Sequence, residues 1–306
     1  MGDRGRGNEG DMILVHGGAG VIAPERHERL RAGCRAAAAA GKAVLDRGGS
    51  ALDAVVAAVR VLEDDPEFDA GTGSSLTREG TVETCATVMD GKRRRAGAVA
   101  AVPDLGAPVI VARAMLETGE HVLFAGAHAT KYAQEIGFQP APANSLITQA
   151  SSARWHEVNN ELKAGGKPTY TEGGGVGAVA RDKAGNFAAA TSTGGTVFRR
   201  SGAIDDASVP GIGTWADEDC AVSTSGGEAL FRIAFAKDIA ARVADGDSIR
   251  SAAKDALKEL KRLAADSIAG AIMVDKKSWC ALQLGPHMPV AWIDDFGPSD
   301  AIGFPL

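Results

Sequence analysis

The order of sequence patterns along the chain predicts a mixed α/β fold. Three observations carry that expectation. Short strand-like apolar runs and longer amphipathic stretches alternate as strands, helices, strands, helices and strands again, which suits two packed sheets covered by helices. The 306 residues are 45% hydrophobic, ample for a large core. Gly, Pro, Asn and Asp clusters fall between the runs, where turns are needed.

Met12-Ile13-Leu14-Val15-His16 is a short apolar strand leading into Gly17-Gly18-Ala19-Gly20. Pro24 to Arg47 is Ala-rich and predicts a helix, with Pro24 in its first turn and Gly48-Gly49 after its end. Ser50-Ala51-Leu52-Asp53 has the form of a capping box, and Ala54, Val55, Ala58, Val59 and Leu62 follow at helical spacing. Ser75–Val88 predicts a hairpin turning at Arg78-Glu79-Gly80, and Ala98–Val102 a further strand. Helices are expected around 107–118 and 125–136. The stretch 138–174 is rich in Pro, Ser, Asn and Gly and interrupts the pattern, with room for one helix near 151–163.

Beyond it, Val176–Arg181 and Phe187–Ser192 read as strands joined by the turn Lys183-Ala184-Gly185-Asn186. Cys220–Ser223 is another strand. Helices follow at about 228–244 and 249–265, the second with Ser248 as N-cap. Ala269–Val274, Trp279–Gln283 and Pro289–Trp292 complete the pattern as strands.

Composition excludes several classes. A net charge of −6 argues against a nucleic-acid partner. Lys92-Arg93-Arg94-Arg95 is the one dense basic cluster and reads as a solvated loop. No run of 18 apolar residues is present, so no membrane span is expected. Met1–Asp11 is Gly-rich and charged, without a hydrophobic signal region, and reads as a floppy tail. The four cysteines, Cys34, Cys85, Cys220 and Cys280, lack C-x-x-C spacing, which fits a reducing cytoplasm and argues against a Cys-based zinc site. The six histidines form no H-x-x-x-H pair, so no transition metal is expected.

Several short motifs stand in a fixed order: His16-Gly17-Gly18-Ala19-Gly20, Phe68-Asp69-Ala70-Gly71-Thr72-Gly73-Ser74, Met89-Asp90-Gly91, Ala96-Gly97-Ala98-Val99, Thr191-Ser192-Thr193-Gly194-Gly195 and Ala221-Val222-Ser223-Thr224. Together with Gly173–Gly195 they make most of the chain, from about Met12 to Leu306, resemble the plant-type asparaginases. These are the isoaspartyl peptidases of the N-terminal-nucleophile hydrolase class. The resemblance implies a four-layer αββα sandwich. It divides residues 12–306, expected to be one domain, into an α-subunit-like part to 174, its linker at about 138–174, and a β-subunit-like part from 175. It implies hydrolysis of the asparagine side-chain amide and of β-aspartyl peptide bonds, and a homodimer.

The family cuts its own chain before the Thr that opens T-V-G-A-V, and the freed α-amine becomes the base for that Thr. Here the motif reads Gly175-Val176-Gly177-Ala178-Val179. Glycine has no hydroxyl, so the family's standard mechanism cannot run at Gly175. Without the family, Gly175 would be the last of three glycines letting the chain enter a strand. Where relatives carry G-R-V-G-D-S-P, this chain has Gly202-Ala203-Ile204-Asp205-Asp206-Ala207-Ser208. The carboxylate-clamping Arg therefore falls on Ala203, and the Asp that receives the substrate amine on Asp206, which could equally be a turn carboxylate. Arg199 or Arg200 could replace the clamp. T-T-G-H-G-E has become Thr224-Ser225-Gly226-Gly227-Glu228, placing Ser225 and Gly226 beside the oxyanion site. Thr193 either lines the pocket or satisfies a turn. Thr169 and Thr171 lie too far upstream to move the cut into the same pocket.

The segment 62–72 resembles the family's sodium loop, whose backbone carbonyls would be those of Leu62, Glu63, Asp65, Phe68, Ala70 and Thr72. A plain structured loop is the alternative. No cofactor is required beyond such a structural Na+. Three functional readings remain open: a diverged, uncleaved homologue binding an amino-acid or peptide ligand; an amidohydrolase using another nucleophile, such as Thr193 or a bound water; and an engineered inactive precursor.

Overall fold

The large sheet is built around a strand that alternates small residues on both faces. In the computed structural model, which describes residues 10–166 and 174–306, Val176–Arg181 forms strand β5 near the middle of an eight-stranded sheet. Thr169, Thr171 and the expected tail up to residue 9 lie outside the described residues. Gly10 and Asp11 do not belong to a floppy tail. The Gly10 carbonyl accepts Arg181 Nε and Nη2 at 3.0 and 2.7 Å, and Asp11 is buried beside Lys42.

The sheet order is β12 (Gly297–Ala301), β11 (Val290–Asp294), β1 (Met12–His16), β5, β6 (Phe187–Thr193), β2 (Glu83–Asp90), β3 (Arg95–Pro103) and β4 (Leu123–Ala125). All neighbours are antiparallel except β3 and β4. A second, antiparallel sheet runs β10 (Trp279–Leu284), β9 (Ala269–Asp275), β8 (Cys220–Ser225) and β7 (Thr214–Ala216).

Alternation along the strands sorts the core into three apolar layers, as a period of two requires. Val176, Ala178 and Ala180 of β5 face helices α1 (His27–Asp46), α2 (Ala51–Asp64), α3 (Pro108–Thr118) and α4 (Gly126–Glu135). Val179, with Met12, Leu14, Phe187 and Ala189, faces the other sheet, whose Ile272, Val274 and Trp279 meet it. The outer side of the small sheet is covered by α6 (Phe235–Ala244) and α7 (Ile249–Leu263). The layers are therefore α, β, β and α, as the resemblance implied.

Local rules explain the helix ends. The Ser50 hydroxyl accepts the Asp53 N–H at 3.1 Å, and Asp182, from the β5–β6 turn, accepts the Ala51 N–H at 3.2 Å. Ser248 caps α7 in the same way through Ser251. The helix expected within the interruption is α5 (Gln149–Lys163), closed by a capping box between Thr148 and Ser151. It docks through Trp155, whose Nε1 donates to the Thr77 carbonyl at 2.7 Å.

Three expectations need correction. The hairpin at 75–88 is a tight turn with a single bridge, Leu76 to Val82, and β2 starts only at Glu83, pairing with β3 and β6. The helix expected at 228–244 is broken at Ala234, which has φ +48°; a 3-10 segment precedes it and α6 follows. The break lets the Ala236 and Lys237 N–H groups donate to the carbonyls of Ile212 and Gly211 at 3.1 and 2.9 Å. β4, β7 and β12 were not foreseen. The first two have three residues each, too few to show a period, and β12 is an edge strand containing Gly, Pro, Ser and Asp.

Gly177 leaves room between the two sheets for side chains from both. A methyl group there would overlap Ser223 Oγ and His16 Nε2. Both belong to a buried network in which Ser223 Oγ also lies 2.7 Å from Thr191 Oγ1, and Thr214 donates to Thr191 at 2.7 Å. Gly177→Ala should therefore cost about 1–3 kcal/mol or more through overpacking and lower the thermal midpoint by several degrees. An unchanged midpoint in thermal denaturation would show that the sheets separate here without penalty.

Candidate active site

Gly174 and Gly175 enter β5 at the end of the sandwich where β1, β6 and β8 also terminate. The Gly174 carbonyl accepts the Ser225 hydroxyl at 2.7 Å, and the same Ser225 oxygen accepts the Ala19 N–H at 2.9 Å. Ser225 ends β8, and Ala19 lies in the loop that follows β1. One hydroxyl thus joins three chain segments and polarises one peptide carbonyl, the arrangement that stabilises negative charge developing on an attacked carbonyl.

The loop carrying Ala19 is held from below by His16. His16 Nδ1 accepts the Gly18 N–H at 3.3 Å, which leaves Nε2 protonated and donating to Ser223 Oγ at 3.1 Å. Complete burial lowers the His16 pKa to about 3, so the ring is neutral and this tautomer persists.

Nothing attacks from residue 175. Its φ is +80°, a conformation open to glycine and strained for other residues. A side chain there would start 3.3 Å from Thr193 Oγ1 and 3.1 Å from the Ser192 carbonyl. Thr193 is therefore brought to the junction, as expected, and its oxygen accepts the Gly195 N–H at 2.9 Å. Asp69 lies on the other side: its Oδ1 accepts the Ser75 N–H at 2.7 Å, and its Oδ2 would be 2.8 Å from a Cβ on Gly174.

Next to this junction opens a cavity of about 530 Å³, within the usual range for small-ligand sites. Gly226 and Gly227 form part of its lining, with Thr196, Ala203, Ile204 and Asp205. Ser225 and Asp206 stand behind this lining. Asp206 is 4% exposed and lies close to Thr224 Oγ1, which points to it at 3.4 Å. Burial pushes its carboxyl well above the usual range, and the charge of Asp205 pushes it further. Asp205 is the carboxylate at the wall, a residue the sequence reading passed over. Its signal was the doublet Asp205-Asp206 itself. Asp205 Oδ1 accepts the Asp206 N–H at 2.8 Å.

Arg199 does not replace the missing clamp. It pairs with Glu83 at 3.4 Å, and Nη2 donates to the Glu83 carbonyl at 2.6 Å while Nη1 donates to the Ala203 carbonyl. Arg200 is exposed and lines the cavity.

The segment 62–72 folds back on itself. The Glu63 carbonyl accepts the Thr72 N–H at 2.8 Å and the Asp65 carbonyl accepts the Phe68 N–H at 3.1 Å. A Cβ on Gly73 would lie 2.6 Å from the Pro66 carbonyl oxygen and 2.8 Å from that of Phe68, so carbonyls of this loop converge from several positions. Of the six carbonyls expected to hold an ion, that of Phe68 is among those converging here, while those of Glu63 and Asp65 accept the N–H groups just named. Among the described residues no group of His, Cys, Asp and Glu could hold a metal ion. The four cysteines are buried and form no disulfide, and burial raises the Cys34, Cys85 and Cys220 thiols, which makes them poor nucleophiles. No helix among the described residues is long and apolar enough to cross a membrane. The basic cluster is a turn followed by β3, with Arg94 near Glu218 and Arg95 donating to the Leu116 carbonyl at 2.7 Å.

Residues 9–294 match the family model described as asparaginase. The chain is 39% identical over 297 residues to the isoaspartyl peptidase/L-asparaginase of Bos taurus, covering 96% of each chain. It is 38% identical over 288 residues to the human protein of the same name, covering 93% of each. It is also 38% identical over 298 residues to the plant-type L-asparaginase of Pyrococcus horikoshii, covering 92% of this chain and 96% of that one.

Glu63 gives the site a pH signature. Its side chain is fully buried, Oε1 accepts Ser192 Oγ at 2.7 Å and the Val109 N–H at 3.0 Å, and Oε2 has no hydrogen-bond partner. Burial lifts its pKa from 4.5 to about 8. Between those values the unfolded chain gives up a proton that the folded chain keeps, so this contribution to stability is full below pH 4.5 and falls toward pH 8. Glu63→Gln removes the slope: its thermal midpoint relative to the parent should rise between pH 5 and pH 8. A constant difference would mean that Glu63 is ionised in the folded protein.

Proposed function

The chain belongs to the asparaginase family, and from that premise we propose that it is an uncut isoaspartyl peptidase/L-asparaginase homologue that binds an amine-bearing ligand without standard turnover. The carrying observation is the Gly174–Gly175 junction. Its carbonyl receives the Ser225 hydroxyl at 2.7 Å, as an oxyanion site would require, while the following residue supplies no hydroxyl to attack it. The two halves of an acyl-transfer site, charge stabilisation and nucleophile, are thus separated. Stabilising an oxyanion lowers a barrier only when something attacks the carbon.

Thr193 is the hydroxyl best placed to substitute, 3.3 Å from where a residue-175 Cβ would lie. It belongs to the strand opposite and carries no α-amine of its own, so it lacks the base that an N-terminal nucleophile brings. This supports the uncut reading over the alternative of an amidohydrolase with a new nucleophile. Natural divergence accounts for the site better than one engineered change, because Ala203, Asp205 and the shortened Ser225-Gly226-Gly227-Glu228 segment also depart from the family motifs.

We further propose that the carbonyls of Leu62, Glu63, Asp65, Phe68, Ala70 and Thr72 hold a structural sodium ion, that the protein is cytoplasmic and that it works as a homodimer. Sodium would fix the loop that carries Asp69 and, through the Glu63 side chain, Ser192 beside Thr193. Replacing sodium by tetramethylammonium at equal ionic strength should then lower the thermal midpoint. An unchanged midpoint would remove the ion from the reading.

The deciding experiment is the intact mass of freshly purified protein under denaturing conditions. A single species at 31.3 kDa is expected, with no hydrolysis of L-asparagine or β-aspartyl dipeptides. Two fragments would overturn the proposal, and the new N-terminal residue would name the nucleophile. The double substitution Gly175→Thr and Ala203→Arg should restore self-cleavage before residue 175 and β-aspartyl hydrolysis. If it restores neither, the pocket is not simply disarmed.

A further inference from the structure

The charges around the large cavity are unequally engaged. Of its arginines, Arg199 is held by Glu83 and by carbonyl oxygens, and Arg78 donates to the Phe198 carbonyl at 3.2 Å with its guanidinium 6.0 Å from the Phe198 ring. Arg200 is left at the exposed rim. On the acidic side, Asp205, Glu228 and Asp266 line the cavity, and Asp206 stands directly behind Asp205. None of these four carboxylates has an ion-pair partner among the described residues.

Asp205 is 8% exposed at the wall and Asp206, behind it, 4%, whereas Glu228 and Asp266 are exposed. A buried wall carboxylate without a counter-charge is costly, and an ammonium group that reaches Asp205 supplies what the chain does not. Val197, Phe198, Ala203, Ile204 and Ile268 supply the apolar part of the lining, alongside its charged and hydroxyl side chains. Ala203 presents only a methyl group, and Ile204 is 42% exposed. A ligand carboxylate would find no inner-wall guanidinium free to receive it.

Resting on the uncut reading of the same site, we propose that the cavity selects a primary amine carried on an apolar, carboxylate-free body, with Asp205 meeting the ammonium. The selectivity is for the class of decarboxylated amines over the corresponding amino acids. Asp206 acts through Asp205, whose Oδ1 accepts the Asp206 backbone N–H at 2.8 Å, and is a positioning residue.

The test compares three probes of one shape on protein shown by intact mass to be uncut: phenethylamine, L-phenylalanine and 3-phenylpropanoate, each titrated calorimetrically. Phenethylamine should bind saturably, L-phenylalanine no more tightly, and 3-phenylpropanoate not measurably at the same concentrations. Asp205→Asn should weaken phenethylamine about tenfold or more, the scale of one hydrogen bond to a charged group, and Arg200→Ala should leave it unchanged or tighter. Tighter binding of L-phenylalanine than of phenethylamine would overturn the proposal, because it would make Arg200 a carboxylate clamp. Absence of saturable phenethylamine binding, or no effect of Asp205→Asn in a variant of unchanged thermal midpoint, would overturn it as well. The two readings fail separately: fragments in the mass spectrum sink the uncut reading, whereas the wrong order of affinities on intact chain sinks only the amine selectivity.

Discussion

One hydroxyl, that of Ser225, ties the end of the small sheet to both the loop after β1 and the entry to β5. Its two hydrogen bonds, to the Gly174 carbonyl at 2.7 Å and from the Ala19 N–H at 2.9 Å, use its donor and one acceptor position. They fix the Gly174–Gly175 peptide against a backbone loop that is itself held by neutral His16. Everything else at the site is referred to this peptide: Thr193 and Asp69 flank it, and Gly226 and Gly227 continue from Ser225 into the cavity lining. The sandwich supplies the rigidity. Gly177 leaves room for His16 and Ser223, so a hydrogen-bonded layer between the sheets begins three residues from Gly174.

This arrangement keeps a carbonyl polarised at a position where nothing attacks it. The hydrogen bond from Ser225 costs nothing to keep, because a buried hydroxyl and a carbonyl both need partners. A site can therefore lose its nucleophile without losing the architecture around it, since that architecture also satisfies buried polar groups. Retention of the glycine loops is explained in the same way. They allow close backbone approach between strands and loops whether or not a reaction follows, and their presence does not by itself argue for turnover.

The elements legible in the sequence were those whose signal is local. β1, β5, β6 and the capped helices α2 and α7 followed from alternation, turn chemistry and Ser50 or Ser248. What stayed hidden depended on partners distant in sequence. The break at Ala234 is imposed by the carbonyls of Gly211 and Ile212, and no glycine or proline announces it. β12 carries residues poor in strand propensity and exists because β11 offers it an edge. At the site, motif correspondence located Thr193, Asp206 and Ser225 but could not say which carboxylate faces open space. That distinction depends on the cavity, which Asp205 lines while Asp206 stands behind it. The occupation of Arg199 by Glu83, 116 residues away, was equally out of reach.

The two kinds of departure at this site act on different steps and have to be weighed separately. Gly175 removes the hydroxyl and also sets the backbone, because its φ of +80° would be strained for a side chain that would start 3.1–3.3 Å from its neighbours. Ala203 and Asp205 instead bear on the cavity wall, where a methyl group and a carboxylate face the open space. A chain disabled only at its nucleophile would have no reason to change its wall. A chain whose wall had changed for a new ligand would gain from losing a nucleophile that could otherwise cut its own backbone beside the cavity. Both changes, on one peptide and one wall, are what the proposed binding role requires, and the Ser225 bridge ties the small sheet to the entry of β5 in either case.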